Sequence, residues 1–183
     1  MLGLLIYTHR KINVAFVIFF ITCFSVGYGV ELIGTSTGYL FGDYAYGDVL
    51  GPKGSGVPLI IGVNWFIIIY CCGVTILALY NRLTRNLDEA MRPRPIMKMA
   101  SVVSDGALLA VFFDWIMEPA AIRLGYWAWQ GGDIPMFNYV CWLIVSAILL
   151  MIFHICKFEK QNKFAVNLLL IQLMFFLLLR SIL

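Results

Sequence analysis

Charge is what this sequence has least of. Only 13% of its 183 residues are Asp, Glu, Lys or Arg, against about 25% in ordinary globular chains, so a soluble domain is excluded. Histidine is nearly missing as well: His9 and His154 are the only two, too few for the di-iron or haem centres of membrane oxygenases and desaturases. Cysteine forms no C-x-x-C pair. Cys23, Cys71, Cys72, Cys141 and Cys156 all fall in apolar runs, where they read as small packing residues and not as disulfides or metal ligands. There is no Walker loop, and G-T-S-T-G at 34–38 lacks the strand–helix setting of a dinucleotide fingerprint. No histidine stands near Thr35, Ser36 and Thr37 to activate them as nucleophiles. No basic patch suits a nucleic acid. The chemistry left open is acid–base chemistry without metal or cofactor.

What is abundant is apolar sequence, 62% of the chain. Several runs reach the roughly 20 residues needed to cross a bilayer core, and none alternates as a membrane β-barrel strand would. The expected fold is all-α: a polytopic integral membrane helical bundle of about five transmembrane helices in a single domain. The spans are read as Asn13–Leu32, Val57–Tyr80, Ile96–Met117, Asn138–Cys156 and Phe164–Ser181. Pro95 is placed to start the third span and Pro119 to follow its end. Met1–Tyr7 is apolar but too short for a cleavable signal; it reads as an interfacial anchor or the remnant of a longer N-terminus.

Orientation follows from the cations. Arg10, Lys11, Arg82, Arg85, Arg92, Arg94, Lys98, Lys157, Lys160 and Lys163 gather on one side, leaving Lys53, Arg123 and Arg180 on the other. The N-terminus is therefore expected in the cytoplasm. Asp88, Glu89 and Glu159 lie among the cytoplasmic cations and read as surface charge. Glu31, Asp43, Asp48, Asp114, Glu118 and Asp133 fall toward the outer side, and Asp105 nearer mid-span.

Intramembrane acids are costly and by default mark function. Asp114 and Glu118, four apart, share a helix face. Two adjacent carboxyls in a low dielectric resist ionising together, so one is expected to keep its proton. Glu31 and this pair are read as lying near helix C-termini, where the macrodipole further opposes negative charge. The plainer alternative makes these acids structural, paired with Arg123 or capped by loop amides. Asp43, Asp48 and Asp133 read as wet loop residues, and Asp105 points about 180° away from Asp114.

The stretch from Glu31 to Trp65 holds eight glycines and three tyrosines, an unusual linker for a membrane protein. Trp115, Tyr126, Trp127, Trp129 and Trp142 cluster near the outer ends of later spans, while Tyr7, Tyr80 and Phe158 alone clearly serve the inner side. An interfacial belt would be two-sided. The asymmetry points instead toward an aromatic site able to stack a conjugated chain and shield a carbocation.

The pattern E-x-x-G-T-x-T-G-Y-L-F-G-x-Y-x-Y, followed by L-G-P-x-x-x-G-V-P-L and N-W, resembles the carotenoid 1,2-hydratase family of integral membrane proteins, whose members act on bacterioruberin precursors and γ-carotene. F-D-W-I-M-E-P, W-A-W and P-x-x-N-Y with Trp142 continue the likeness, so that it runs from about Val30 to Trp142. At Glu118–Pro119 the chain departs from the family's Asp-Pro and keeps the carboxylate. The resemblance implies a multi-pass protein of a prokaryotic cytoplasmic membrane, its partners the lipid bilayer and a carotenoid, and a candidate for homo-oligomerisation. It further implies cofactor-independent, acid-catalysed hydration of the terminal C1,2 double bond of an acyclic or monocyclic carotenoid, of lycopene, γ-carotene or bacterioruberin-precursor type. Asp114 and Glu118 would be proton donor and water-orienting partner, in either order, with Glu31 as the competing acid. Thr35, Thr37, Tyr44 and Tyr46 would supply hydrogen bonds, and Phe41, Trp65, Trp127, Trp129, Asn138 and Trp142 would line the substrate. Two other readings stay open: a lycopene-cyclase-like isoprenoid cyclase, and a non-enzymatic carotenoid-binding or transport protein.

Overall fold

The computed structural model describes residues 1–9, 11–88 and 93–182; Arg10, Glu89 and Arg92 lie outside these. Among the described residues five helices are long and apolar enough to cross a membrane: α2 (Val14–Thr37), α3 (Ile60–Thr84), α4 (Pro95–Arg123), α5 (Met136–Ile155) and α6 (Lys163–Ile182), preceded by a short α1 (Leu2–Thr8). The chain is an all-α polytopic membrane protein. α3 is apolar on every side and sits centrally, with 72% of its most apolar window buried against 17% for α6, as expected for a helix walled in by others. Around it pack α2, α4, α5 and α6. Close approach depends on small residues, the usual device where lipid gives no hydrophobic drive between helices. A methyl group on Gly27 would run into the Trp65 ring, and one on Gly62 would lie 2.7 Å from the Phe24 ring.

Helix ends differ from the sequence expectation in informative ways. α2 begins where the Asn13 side chain accepts the Phe16 N–H at 2.9 Å. It does not stop at Leu32 but continues to Gly38, whose φ of 67° and N–H to Gly34 O end it. Over that added length the hydroxyls of Thr35, Ser36 and Thr37 bond back to the carbonyls of Glu31, Leu32 and Ile33, so these residues sustain the helix. α4 opens with Pro95 at its first turn, but Pro119 does not end it. The missing Pro119 N–H frees the Trp115 carbonyl, and Arg180 Nη1 of α6 donates to that carbonyl at 3.3 Å.

The connections at one end of the bundle carry short strands. β1 (Tyr44–Tyr46) pairs antiparallel with β4 (Trp127–Trp129), matching Tyr44 with Trp129 and Tyr46 with Trp127. β2 (Lys53–Gly54) and β3 (Val57–Pro58) form a tight hairpin through Ser55 and Gly56, both at positive φ. The Tyr28 hydroxyl pins it by donating to Gly54 O at 2.8 Å.

The opposite, basic end holds aromatics of its own. Phe16, Phe19, Phe66, Tyr70, Phe153 and Phe158 pack there as internal core. α1 packs partly into the bundle: Leu5 is fully buried and His9 Nδ1 lies 2.9 Å from the Tyr70 hydroxyl, while Leu4 and Tyr7 are exposed. The five cysteines are free thiols, four of them buried.

Candidate functional site

Beneath the β1–β4 ribbon lies a cavity of about 500 Å³. The ribbon is its roof because strand side chains alternate faces. In Y-A-Y and W-A-W the aromatics turn inward and line the cavity, while Ala45 and Ala128 are exposed. The walls come from α2, α3, α4 and α5, and α6 closes the deeper part with Leu168, Gln172 and Phe176.

Three carboxyl groups enter this space, all buried: Glu31 at 5% exposure, Asp114 at 1% and Glu118 at 2%. Each meets only neutral donors. Glu31 of α2 accepts Trp65 Nε1 on Oε1 at 3.0 Å, and on Oε2 the hydroxyl of Tyr46 at 2.7 Å together with that of Tyr44. Gly34, one turn further along α2, makes room for this, since a methyl group there would stand 3.0 Å from the Tyr44 hydroxyl. Glu118 Oε2 accepts Trp127 Nε1 at 2.9 Å and Trp129 Nε1 at 3.0 Å. Asp114, one turn back on the same face of α4, takes a single bond on Oδ2 from Asn138 Nδ2 at 2.8 Å. The same nitrogen reaches Glu118 Oε1 at 3.5 Å, so Asn138 ties the pair together.

Among the described residues no lysine or arginine lines the cavity. Among the described residues the one ion pair is Lys53–Asp48, at the exposed ribbon end, where the lysine holds the Asp48 carboxyl below its usual range. Arg123 is exposed and pairs with none of the three acids. The helix-terminus argument for these acids also fails, because α2 runs on to Thr37 and α4 to Arg123, beyond the single turn over which a macrodipole acts. In the roof, burial first and the Glu31 charge second push the Tyr44 and Tyr46 phenols up. They remain neutral donors.

Aromatic rings supply most of the remaining wall. Trp65 stacks on Trp142 with ring centroids 4.1 Å apart and planes 16° from parallel. Tyr44 lies 5.0 Å from Trp129, and Tyr46 meets Trp127 nearly edge to face at 5.9 Å. Phe41, held at a φ of 66°, packs beside Tyr44 and Trp65.

Of the residues singled out in the sequence, Glu31, Asp114, Glu118, Phe41, Tyr44, Tyr46, Trp65, Trp127, Trp129, Asn138 and Trp142 meet at this cavity. Thr35 and Thr37 do not, because their hydroxyls are spent on the α2 backbone at 2.9 and 2.6 Å. Trp115 turns outward, 45% exposed with Arg180 over its ring. Asp105 is exposed among Ser101 and Ser104; Asp43 and Asp133 are exposed too. Sequence reasoning missed Asn64, Met117 and the α6 residues. The neighbour of Trp65 offered a signal for Asn64; a uniformly apolar α6 offered almost none.

The fold and cavity together define an integral membrane protein with an acidic, aromatic chamber at one end of a five-helix bundle. The chain belongs to the family described as carotenoid biosynthesis protein, whose profile matches residues 1–183. It is similar to bisanhydrobacterioruberin hydratase of Haloarcula japonica, 28% identical over 130 residues that make up 69% of this chain and 40% of that protein. The likeness therefore spans less than half the length of this relative. No solved structure matches the chain.

Proposed function

We propose that this protein adds water to the terminal C1,2 double bond of an acyclic or monocyclic carotenoid, giving a tertiary alcohol. The observation that carries the reading is the chamber itself: three buried carboxyls, no lysine or arginine among the described lining residues, and stacked aromatic walls. Such a site favours a positively charged transition state, since preorganised charge in a water-poor cavity is worth far more than in solution. Indole and phenol faces shield the cation further.

The hydrogen-bond inventory divides the roles. Glu31 collects three donors and Glu118 two indoles, the arrangement that suits carboxylate anions. Asp114 has one donor and an oxygen to spare; it is the proton donor. Its proton forms the new C–H bond at C2, the π electrons leave C1 as a tertiary cation, and water closes the C1–O bond. The proton lost by that water returns to the Asp114–Glu118 pair, so the site resets. Ile171 and Phe175 line the cavity yet are 61% and 53% exposed; we take this side, which borders lipid, as the entrance for the polyene. The basic end faces the cytoplasm by the positive-inside rule, which puts the chamber toward the far side of a prokaryotic cytoplasmic membrane.

The test is expression in a lycopene-accumulating bacterium, with pigments read by mass spectrometry. Lycopene gaining the mass of water supports the reading, and Asp114→Asn should abolish that product while the protein still reaches the membrane. An isomer of unchanged mass would indicate a cyclase instead. If well-expressed protein leaves both lycopene and γ-carotene unaltered, the hydratase reading fails for these substrates and a carotenoid-binding role gains ground.

A further inference from the structure

The mechanism above leaves the nucleophile without a holder. Both oxygens of Glu31 and Oε2 of Glu118 are occupied by indole and phenol donors, Glu118 Oε1 faces the Asn138 amide at 3.5 Å, and the threonine hydroxyls are spent on the backbone. We infer that Asn138 is the water-positioning residue: its side-chain carbonyl holds the attacking water against the carboxyl pair. The inference rests on the hydratase reading and assigns within it a residue that otherwise looks like a structural tie.

Three observations carry it. The orientation of the amide is fixed by chemistry, because both neighbours within reach of one end are carboxyl oxygens, Asp114 Oδ2 at 2.8 Å and Glu118 Oε1 at 3.5 Å. Glu118, the anion of the pair, can only accept, so that end is the NH2 group. Its two hydrogens are thereby spent, which leaves Oδ1 as the free group. Among the described residues Oδ1 receives no hydrogen bond, and it is not one of the sealed, unpartnered atoms, which are His9 Nε2, Thr75 Oγ1, Ser146 Oγ and Gln172 Oε1. Asn138 lines the cavity and is 2% exposed overall, and we take the cavity interior as the space onto which Oδ1 opens. Finally, the position is rigid. Asn138 sits in the first turn of α5, its N–H on Pro135 O at 3.0 Å. One turn later on the same face stands Trp142, stacked on Trp65.

A water bound there gives one hydrogen to Asn138 Oδ1 and directs the other toward Asp114, whose second oxygen becomes the acceptor once its proton has passed to C2. Its lone pair then faces the rings that shield the cation. When the C1–O bond forms, the water's second O–H bond breaks, that hydrogen passes as a proton to the carboxyl pair, and Asn138 is unchanged. Only one molecule of water is consumed.

The role separates protonation from capture, and an experiment in deuterium oxide reads both. With water misplaced, the cation formed by deuteron transfer cannot be trapped and gives a proton back from C2 or a methyl group, leaving deuterium in the recovered polyene. In Asn138→Ala, hydrated product should fall on the order of 100-fold, while deuterium in recovered carotenoid rises above the wild-type level. Asn138→Ser, whose hydroxyl can also accept from water, should restore part of the hydration and lower the exchange. Parallel loss of hydration and exchange in both variants would overturn the proposal and leave Asn138 a structural tie; so would hydration at the wild-type rate in the alanine variant. If the wild-type protein itself neither hydrates nor exchanges, it is the hydratase reading that has failed.

Discussion

Glu31 offers the sharpest perturbation, because Glu31→Gln removes a charge with almost no change in shape. Its carboxylate accepts Trp65 Nε1, Tyr44 and Tyr46. Glutamine can keep its oxygen on the indole and turn its NH2 toward the two phenol oxygens, which accept as well as donate. Hydrogen bonds to a charged group contribute about 1.5–3 kcal/mol and neutral ones about 0.5–1.5, so three bonds lose roughly 3 kcal/mol together. Burying an anion costs several kcal/mol in the other direction, and the substitution removes that cost. The two effects oppose each other, so the fold should survive with a melting temperature close to the parent's. Catalysis has no such compensation. A cation about 5 Å from the carboxylate, at an effective dielectric constant of about 20, is stabilised by about 3 kcal/mol. Losing that slows turnover by roughly 100- to 300-fold at about 1.4 kcal/mol per decade. The assay is hydrated carotenoid formed per folded protein, with folding followed by size-exclusion chromatography and thermal melting in detergent. Folded Glu31→Gln with parental turnover would refute the electrostatic role given to Glu31. Collapse of the fold would refute the claim that glutamine satisfies the same donors.

Two further outcomes follow from the packing and the roof. In Gly27→Ala the new methyl group meets the Trp65 ring, so α2 must move off α3 at a cost of about 1–3 kcal/mol; a lower melting temperature with lower turnover is expected, whereas Gly29→Ala, where nothing lies within 4 Å, should change neither, and equal behaviour of the two variants would contradict the packing. The Tyr44 and Tyr46 phenols are pushed up in the folded protein, so above about pH 10 the unfolded chain releases protons that the folded one keeps; stability should then fall as pH rises past that value, with tyrosinate absorbance from these two appearing only on unfolding, and early titration of both in folded protein would count against a closed roof.

Much of this architecture was legible in the sequence because it depends on local order. Apolar runs of span length made the helices, and the cations clustered between alternate spans marked one end of the bundle. The spacing of Asp114 and Glu118 put both on one face, since helical periodicity needs no partner to act. The same local reasoning misjudged the helix ends. Thr35 and Thr37 read as site hydroxyls, yet within a helix a threonine side chain can turn back to its own backbone. Pro119 read as a stop, yet the carbonyl it frees finds Arg180, a residue of another helix.

What only the tertiary structure decided is the chamber. Tyr44 and Tyr46 join Trp127 and Trp129 through a ribbon between connections far apart in the chain, and that pairing delivers the indole donors to Glu118 and the phenol donors to Glu31. Asn138 reaches Asp114 from a different helix, and Trp115, beside Asp114 in sequence, points away from it. Sequence composition fixes what a helix carries because burial and periodicity act within about one turn. Which carboxyl meets which donor depends on how separate elements approach, and only packing sets that.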